Sequence, residues 1–146
     1  MKKLSAFLVS IALIYSSITS AESFDLFGSS IATDFDSLDN VGELISEQET
    51  LIAHGVYNTR IAANVANASV INLNAFDKPE SFVVSNVIVM SNNRVSYVAS
   101  NSQSNTMSVT EHNGDIVGSI WRNGTLYKLR TTSGGTTVLV EVKKAD

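Results

Sequence analysis

The chain has 146 residues, no cysteine, and 14 acidic against 10 basic residues, which gives a net charge of −4. This length suits a single domain, and the absence of cysteine excludes disulfides, thiolate metal ligands and a thiol nucleophile. The acidic balance disfavours a nucleic-acid partner, because phosphate backbones are negatively charged. Stability must therefore come from a hydrophobic core and a hydrogen-bonded sheet.

The first 21 residues have the layout of a secretory signal peptide. Lys2 and Lys3 form a basic start, residues 4–15 are mostly apolar, and small residues lead to Ala21. The apolar run is shorter than the roughly 20 residues that a membrane span needs. We therefore predict cleavage after Ala21 and a bacterial exported protein, periplasmic or secreted, with no membrane segment in residues 22–146.

Residues 22–55 are expected to form an acidic N-terminal arm followed by a helix. This segment holds eight of the 14 acidic residues and no lysine or arginine. Its apolar residues recur at roughly helical spacing, which predicts one amphipathic helix over residues 38–53, stopped by Gly55. Before the helix, Phe24 and Phe27 suggest an extended arm that docks its aromatic rings onto this domain's own sheet or onto another protein.

Residues 56–146 are expected to form a β domain. Residues 56–76 mix β-branched residues with alanine and asparagine, and they fit one or two strands, or a strand and a short helix. Residues 80–90 are rich in valine, which is typical of a buried strand. Shorter alternating runs follow, separated by turns. The fold class that these patterns favour is α+β and mainly β: an antiparallel meander of hairpins with one N-terminal amphipathic helix.

Three turns punctuate the second half of this β domain. Asn113-Gly114 and Asn123-Gly124 each lie between alternating runs. An Asn-Gly pair in this position is typical of a two-residue hairpin turn, in which both residues take positive φ. Gly134-Gly135 predicts a third turn before the last strand. Tight turns of this kind favour neighbouring strands that pair antiparallel.

The sequence offers no recognisable catalytic or metal-binding constellation. His54 and His112 are its two histidines, and neither has the spacing of a zinc site or an evident catalytic triad. We expect His54 at the end of the helix and His112 in a turn. A phosphate-binding glycine loop and a nucleophile elbow are also absent from the sequence. We therefore predict a domain that is not an enzyme and has no cofactor or metal.

The hairpin around Asn123-Gly124 carries the candidate partner-binding residues. They are Trp121, Arg122, Tyr127, Lys128 and Arg130. The two aromatic residues flank the turn, which predicts either a cross-strand pair that stabilises the hairpin or a platform on which a sugar or peptide stacks. We expect one apolar and one cationic face, and the cationic face would suit an acidic partner or the chain's own acidic segment.

The same region resembles the end of the N-terminal propeptide in secreted bacterial zinc metalloproteases. There, a strand of the form G-x-[IV]-x-G-[ST]-[IV] leads through a turn to G-x-L-Y-x-[IL]-[RK], a glycine-rich turn and a valine-rich strand. The matching residues here are Gly118, Ser119, Ile120, Gly124, Leu126, Tyr127, Leu129, Arg130, Gly134, Gly135, Val138 and Val140. Upstream, Arg94 and Tyr97 correspond to an arginine and an aromatic residue, and the similarity extends over residues 56–142.

The resemblance implies binding rather than catalysis. Propeptides of this kind assist the folding of their enzyme and cover its active-site cleft. The chain lacks the His-Glu-x-x-His motif of the catalytic domain. We therefore expect an exported domain that inhibits a secreted zinc protease, or assists its folding, in trans. The alternative is a secreted adhesin, toxin-associated or ligand-binding β module that uses the aromatic hairpin.

Overall fold

A computed structural model describes residues 22–28 and 46–144, which form one curled β-sheet with a short helix. The strands are β1 (Ser23–Asp25), β2 (Glu49–Gly55), β3 (Val70–Leu73), β4 (Glu80–Val89), β5 (Arg94–Ser100), β6 (Thr106–His112), β7 (Asp115–Arg122), β8 (Thr125–Thr131) and β9 (Thr137–Val142). Helix α1 (Arg60–Asn64) lies between β2 and β3. The predicted mainly β character is confirmed. No helix in this described part is long and apolar enough to cross a membrane.

The sheet is mixed, and it is not the plain antiparallel meander that the turns led us to expect. The strand order is β1-β3-β4-β5-β6-β7-β8-β9-β2. Strands β3 to β9 pair antiparallel with their neighbours in sequence. Strand β1, however, pairs parallel with β3, and β2 pairs with β9 at the other edge. Two strands from the N-terminal part of the chain thus border the sheet on its two sides.

The sheet curls until these two borders meet. Phe27, which follows β1, forms an antiparallel bridge with Tyr57, which follows β2. The backbone N–H of Gly28 donates a hydrogen bond to the carbonyl of Val56 at 2.8 Å. Paired borders leave fewer open backbone donors and acceptors than an open sheet would. The curl therefore encloses the side chains on its inner face.

The inward-facing side chains form one hydrophobic core. Successive residues in a strand point to opposite faces, so β5, β6, β7 and β8 supply alternating residues to this core. They are Tyr97, Ala99, Met107, Val109, Ile116, Ile120, Tyr127 and Leu129. Phe24, Leu26 and Phe27 are buried in it. The described part of the arm, residues 22–28, therefore docks its aromatic rings onto the domain's own sheet. Ile61 of α1 also packs into the core.

Strand β9 is buried on both faces. Leu139 points into the main core, whereas its neighbours Val138 and Val140 form a second cluster with Leu51 on the outer face. When both faces of a strand are covered, apolar residues are favoured at every position, and polar and apolar residues do not alternate. This explains the uninterrupted apolar run from Val138 to Val140 near the end of the sequence.

The predicted helix over residues 38–53 is wrong in its last part. Residues 38–45 lie outside the described residues, as does the predicted signal peptide, but Glu49–Gly55 is a strand. The register shifts between Leu51 and Ala53, and this bulge turns two consecutive residues, Ile52 and Ala53, toward the main core. Apolar neighbours on one face imitate the spacing of a helix.

The predicted turns are confirmed. Asn113 and Gly114 have φ of 52° and 89°, and Asn123 and Gly124 have φ of 52° and 79°. Positive φ at both central residues is the geometry that an Asn-Gly hairpin turn requires. In the ambiguous stretch 56–76, the arrangement found is a short helix followed by a strand.

Candidate functional site

The two aromatic residues of the predicted binding hairpin point in opposite directions. Trp121 pairs across the turn with Leu126, and Ile120 pairs with Tyr127. Residues that face each other in a ladder lie on the same side of the sheet. Trp121 is therefore on the outer face, where it is 51% exposed, whereas Tyr127 is buried in the core. The expected cross-strand aromatic pair is wrong, and the two rings do not form a joint platform.

The three cationic residues of this hairpin are divided in the same way. Arg122 lies on the inner side of β7, where its guanidinium lies 4.0 Å from the ring centroid of Phe76. Lys128 and Arg130 lie on the outer face of β8. Arg130 forms an ion pair with Glu49 of β2, whereas Lys128 is exposed. The single cationic face predicted for this hairpin is therefore wrong.

Arg122 and Glu80 are the centre of a polar cluster at one end of the sheet. The Nε atom of Arg122 donates to Oε2 of Glu80 at 2.6 Å. The other carboxylate oxygen accepts from the side-chain amides of Asn101 and Asn105, at 2.9 and 2.5 Å. Burial raises the pKa of Glu80, but these hydrogen bonds outweigh burial and hold the pKa below its usual value. The cluster ties β4 to β7 and to the loop between β5 and β6.

A cleft of about 400 Å³ opens beside this polar cluster. Both oxygens of Glu80 are already engaged, so this carboxylate is poorly placed to act as a general base. Arg122 rests on Phe76, whose ring meets that of Tyr127 edge-on with centroids 5.2 Å apart. These contacts cover the core at this end of the sheet and stabilise the packing of β4 against β7.

Tyr57, Tyr97 and Glu111 place polar groups within or beside the core. The hydroxyls of Tyr57 and Tyr97 are 2.9 Å apart, and burial raises the pKa of both. Glu111 is 6% exposed, and its Oε2 atom is buried with no hydrogen-bond partner among the described residues. Burial also raises the pKa of Glu111. Neutral tyrosines and a desolvated carboxyl are not activated nucleophiles. We therefore interpret these groups in terms of fold stability.

The two histidines are not part of a recognisable site. His54, expected at the end of a helix, is buried in β2. His112 ends β6, where the side-chain amide of Asn113 lies 3.5 Å from its Nε2. Within residues 22–28 and 46–144, no group of three or more histidines and carboxylates is placed to hold a metal ion.

Trp121 borders an apolar slot on the outer surface of the sheet, which we name the Trp121 slot. Its volume is about 280 Å³. The lining residues are Trp121, Gly124, Thr125, Leu126, Glu141, Val142, Lys143 and Lys144. The sequence contained a signal for it: a two-residue turn at positions 123 and 124 places Leu126, and not Tyr127, opposite Trp121.

The second half of β4 has an edge that none of residues 22–28 and 46–144 pairs with, which we name the open edge. Among the described residues, β4 pairs with β3 only over Glu80–Val83, but it pairs with β5 as far as Val89. Residues 86–89 are thus bonded on one side. Ile88 is 51% and Val89 is 74% exposed. The expectation of a buried strand at residues 80–90 is therefore wrong for this half. The register with β5 shifts between Val84 and Asn86, and the exposed half of the strand begins there.

Known proteins add no identification. No protein-family model matches the chain, and comparisons with curated proteins and with solved structures gave no match at a significant level. Proposals about function therefore depend on the β4 edge, on the Trp121 slot and on the resemblance that the sequence of the last strands carries.

Proposed function

We propose that this protein is an exported, non-catalytic binding domain that acts on a secreted zinc metalloprotease, as a propeptide does. The open edge of β4, from Asn86 to Val89, is the surface that we assign to this role. An extended segment of the enzyme, such as a strand beside its active-site cleft, would add to the sheet there. The observation that carries the proposal is the combination of one-sided pairing and apolar exposure along this edge.

The hydrogen-bonding pattern of the hairpin indicates which atoms would bind. The N–H of Met90 donates to the carbonyl of Arg94 at 2.8 Å. Bonded and non-bonded pairs alternate in an antiparallel ladder, so Ile88 bonds with β5 whereas Val87 and Val89 direct their backbone groups toward the open edge. An incoming strand would find two donors and two acceptors at the spacing that strand addition uses.

Side chains next to this edge favour a protein partner. Ile88 pairs with Ser96 in β5, and Ser96 pairs with Thr110 in β6. The hydroxyls of Ser96 and Thr110 lie 2.7 Å apart and bond to each other. An open edge whose own side chains, Asn86 to Val89, carry no charge is the type of edge that pairs with other chains. The resemblance to a propeptide supplies the class of partner.

Replacing Val89 with proline tests this proposal directly. Proline removes a backbone N–H that points to the open edge, and it is tolerated on an edge strand when that N–H is not used in the ladder. Val89→Thr is the matched control, because it changes the side chain and keeps the N–H. Binding to, and inhibition of, a zinc metalloprotease secreted by the same organism are measured for both variants.

We expect wild type and Val89→Thr to bind and Val89→Pro to bind at least about tenfold more weakly, the equivalent of about 1.4 kcal/mol. Circular dichroism and urea midpoints confirm that both variants fold. A wild-type protein that neither inhibits the enzyme nor forms a complex with it overturns the proposed function. Equal binding by a folded Val89→Pro variant overturns the assignment of the β4 edge.

A further inference from the structure

We propose that the Trp121 slot binds an acidic peptide segment of a partner protein, with one apolar side chain of that segment inserted beside the indole. This site is separate from the β4 edge. Two strands, β5 and β6, lie between β4 and β7, so the two surfaces are about 14 Å apart across the sheet. The inference does not depend on the function proposed for β4.

The apolar part of the slot comes from three neighbouring strands. Trp121 of β7 lies opposite Leu126 of β8. Because Tyr127 pairs with Glu141, the next position along the ladder brings Leu126 beside Val142. An indole exposed next to aliphatic side chains offers a large rigid contact area, and tryptophan is one of the residue types enriched in binding hot spots. The slot volume of about 280 Å³ suits one side chain.

The charges around the slot select an acidic partner. Lys143 and Lys144 line it, and both are exposed. Lys128 lies on the same face of β8 as Leu126, two residues further along the strand, and it is also exposed. One acidic residue, Glu141, is part of the lining. Three lysines around one apolar slot in a chain of net charge −4 give local attraction for carboxylates that the overall charge would repel.

Charge and shape together define the ligand. Exposed ion pairs alone are weak, contributing about 0.2–1 kcal/mol each, so carboxylates alone would bind poorly. Apolar insertion beside Trp121 supplies affinity, and the lysine rim supplies selectivity. The expected partner segment therefore has a central aromatic or aliphatic residue with acidic residues on both sides.

The protein supplies its own reporter, since Trp121 is the one tryptophan in the chain. The probe is the blocked peptide Asp-Asp-Phe-Asp-Asp, titrated while the tryptophan emission is recorded. We expect a saturable blue shift, which weakens at least about tenfold between about 0.05 M and 0.5 M NaCl because salt screens exposed charges. Asp-Asp-Ala-Asp-Asp and Lys-Lys-Phe-Lys-Lys should give little or no shift.

Variants assign the response to the slot. Lys143→Glu combined with Lys144→Glu should weaken binding at least about tenfold, since it reverses the rim charge. Lys78→Glu is the control, because Lys78 is an exposed lysine that lines the cleft beside Glu80 and not this slot. Trp121→Ala, followed by calorimetry, should also lose binding while the urea midpoint shows that the variant folds.

Several results would overturn the inference. They are no shift at millimolar peptide, an equal response to the lysine peptide, or an equal effect of Lys78→Glu. The same titration is repeated with vesicles of phosphatidylglycerol. A blue shift of the tryptophan emission with vesicles and none with peptide would identify a lipid surface as the ligand instead. The two sites are tested separately. The Lys143/Lys144 double variant should still bind the protease, and Val89→Pro should still bind the peptide.

Discussion

The hydroxyl groups of Tyr57 and Tyr97 lie 2.9 Å apart in the core, where one donates a hydrogen bond to the other. Tyr57 follows β2 and Tyr97 lies in β5, so the bond links the closing segment of the sheet to its middle. Tyr57→Phe should leave the Tyr97 hydroxyl buried without a partner, and a group left in that state costs about 1–3 kcal/mol. Urea unfolding followed by circular dichroism measures the loss.

The double variant Tyr57→Phe/Tyr97→Phe provides the sharper comparison. Removing both hydroxyls leaves no orphaned polar group, so the double variant should lose less stability than the sum of the two single variants, by about 0.5–1.5 kcal/mol. Strictly additive losses would show that the two hydroxyls do not depend on each other.

Glu111 should make the protein less stable as the pH rises. Burial raises its pKa in the folded state above the unfolded value. The stability contributed by such a carboxyl is fully present below the unfolded pKa and is lost as the pH rises through the folded pKa. Glu111→Gln should therefore be more stable than wild type at neutral pH, by about 1 kcal/mol, and this advantage should vanish near about pH 4.

Glu80 is the internal control for this pH dependence, because its shift has the opposite sign. Hydrogen bonds hold its folded pKa below the usual value, so its contribution is present above the unfolded pKa and is lost as the pH falls through the folded pKa. Glu80→Gln should be less stable than wild type at neutral pH, with the difference shrinking in acid. The urea midpoints of Glu111→Gln, Glu80→Gln and wild type are measured at several pH values. If the midpoints of the two variants change with pH in the same way, both pKa assignments are contradicted.

Arg122 should matter for stability more than other surface cations do. Its side chain bonds to Glu80 and covers the ring of Phe76. Arg122→Ala removes both contacts and leaves Glu80 without its cation, which should cost about 2 kcal/mol. Arg122→Lys should recover only part of this, since lysine lacks the planar guanidinium. Lys78→Ala, at an exposed lysine beside the same cleft, should stay within about 0.5 kcal/mol of wild type.

Gly118 is required by a close approach of the backbone rather than by a turn. A Cβ atom at this position would lie 2.9 Å from the carbonyl oxygen of Ser108 and 3.2 Å from Cγ2 of Val109. Gly118→Ala should therefore destabilise the fold by about 1–3 kcal/mol. Gly134→Ala is the matched control, because its Cβ would meet only Oγ1 of Thr132, at 3.7 Å. Thermal melts should show a lower melting temperature for Gly118→Ala than for Gly134→Ala. Equal melting temperatures would contradict the steric argument.

The local chemistry of the sequence predicted the turns and most of the later strands. Asn113-Gly114 and Asn123-Gly124 encode positive φ in two adjacent residues, and nothing distant is needed for that. The hairpin register was also available from the length of the turn, which places Trp121 opposite Leu126. The same turn length places Tyr127 opposite Ile120, so Trp121 and Tyr127 lie on different faces of the hairpin.

Other features were beyond local reasoning. The bulge beside Ile52 places two neighbours on one face, so the periodicity of residues 38–53 fits a helix as well as a strand. The ion pairs Glu80–Arg122 and Glu49–Arg130 join residues 42 and 81 positions apart. The open half of β4 depends on where β3 stops. Each of these is set by how distant strands meet, which periodicity in a single sequence does not contain.

The way the sheet closes also sets an order for folding. Strands β3 to β9 can pair as successive hairpins, each needing only the residues just before it. Strand β2, in contrast, pairs with β9, so Glu49 must meet Val142, which lies far along the chain. Contacts between positions so far apart form slowly because the loop between them must first be closed. We therefore expect the two N-terminal strands to join last, which makes the seam between Phe27 and Tyr57 the place where a partly folded chain is still open.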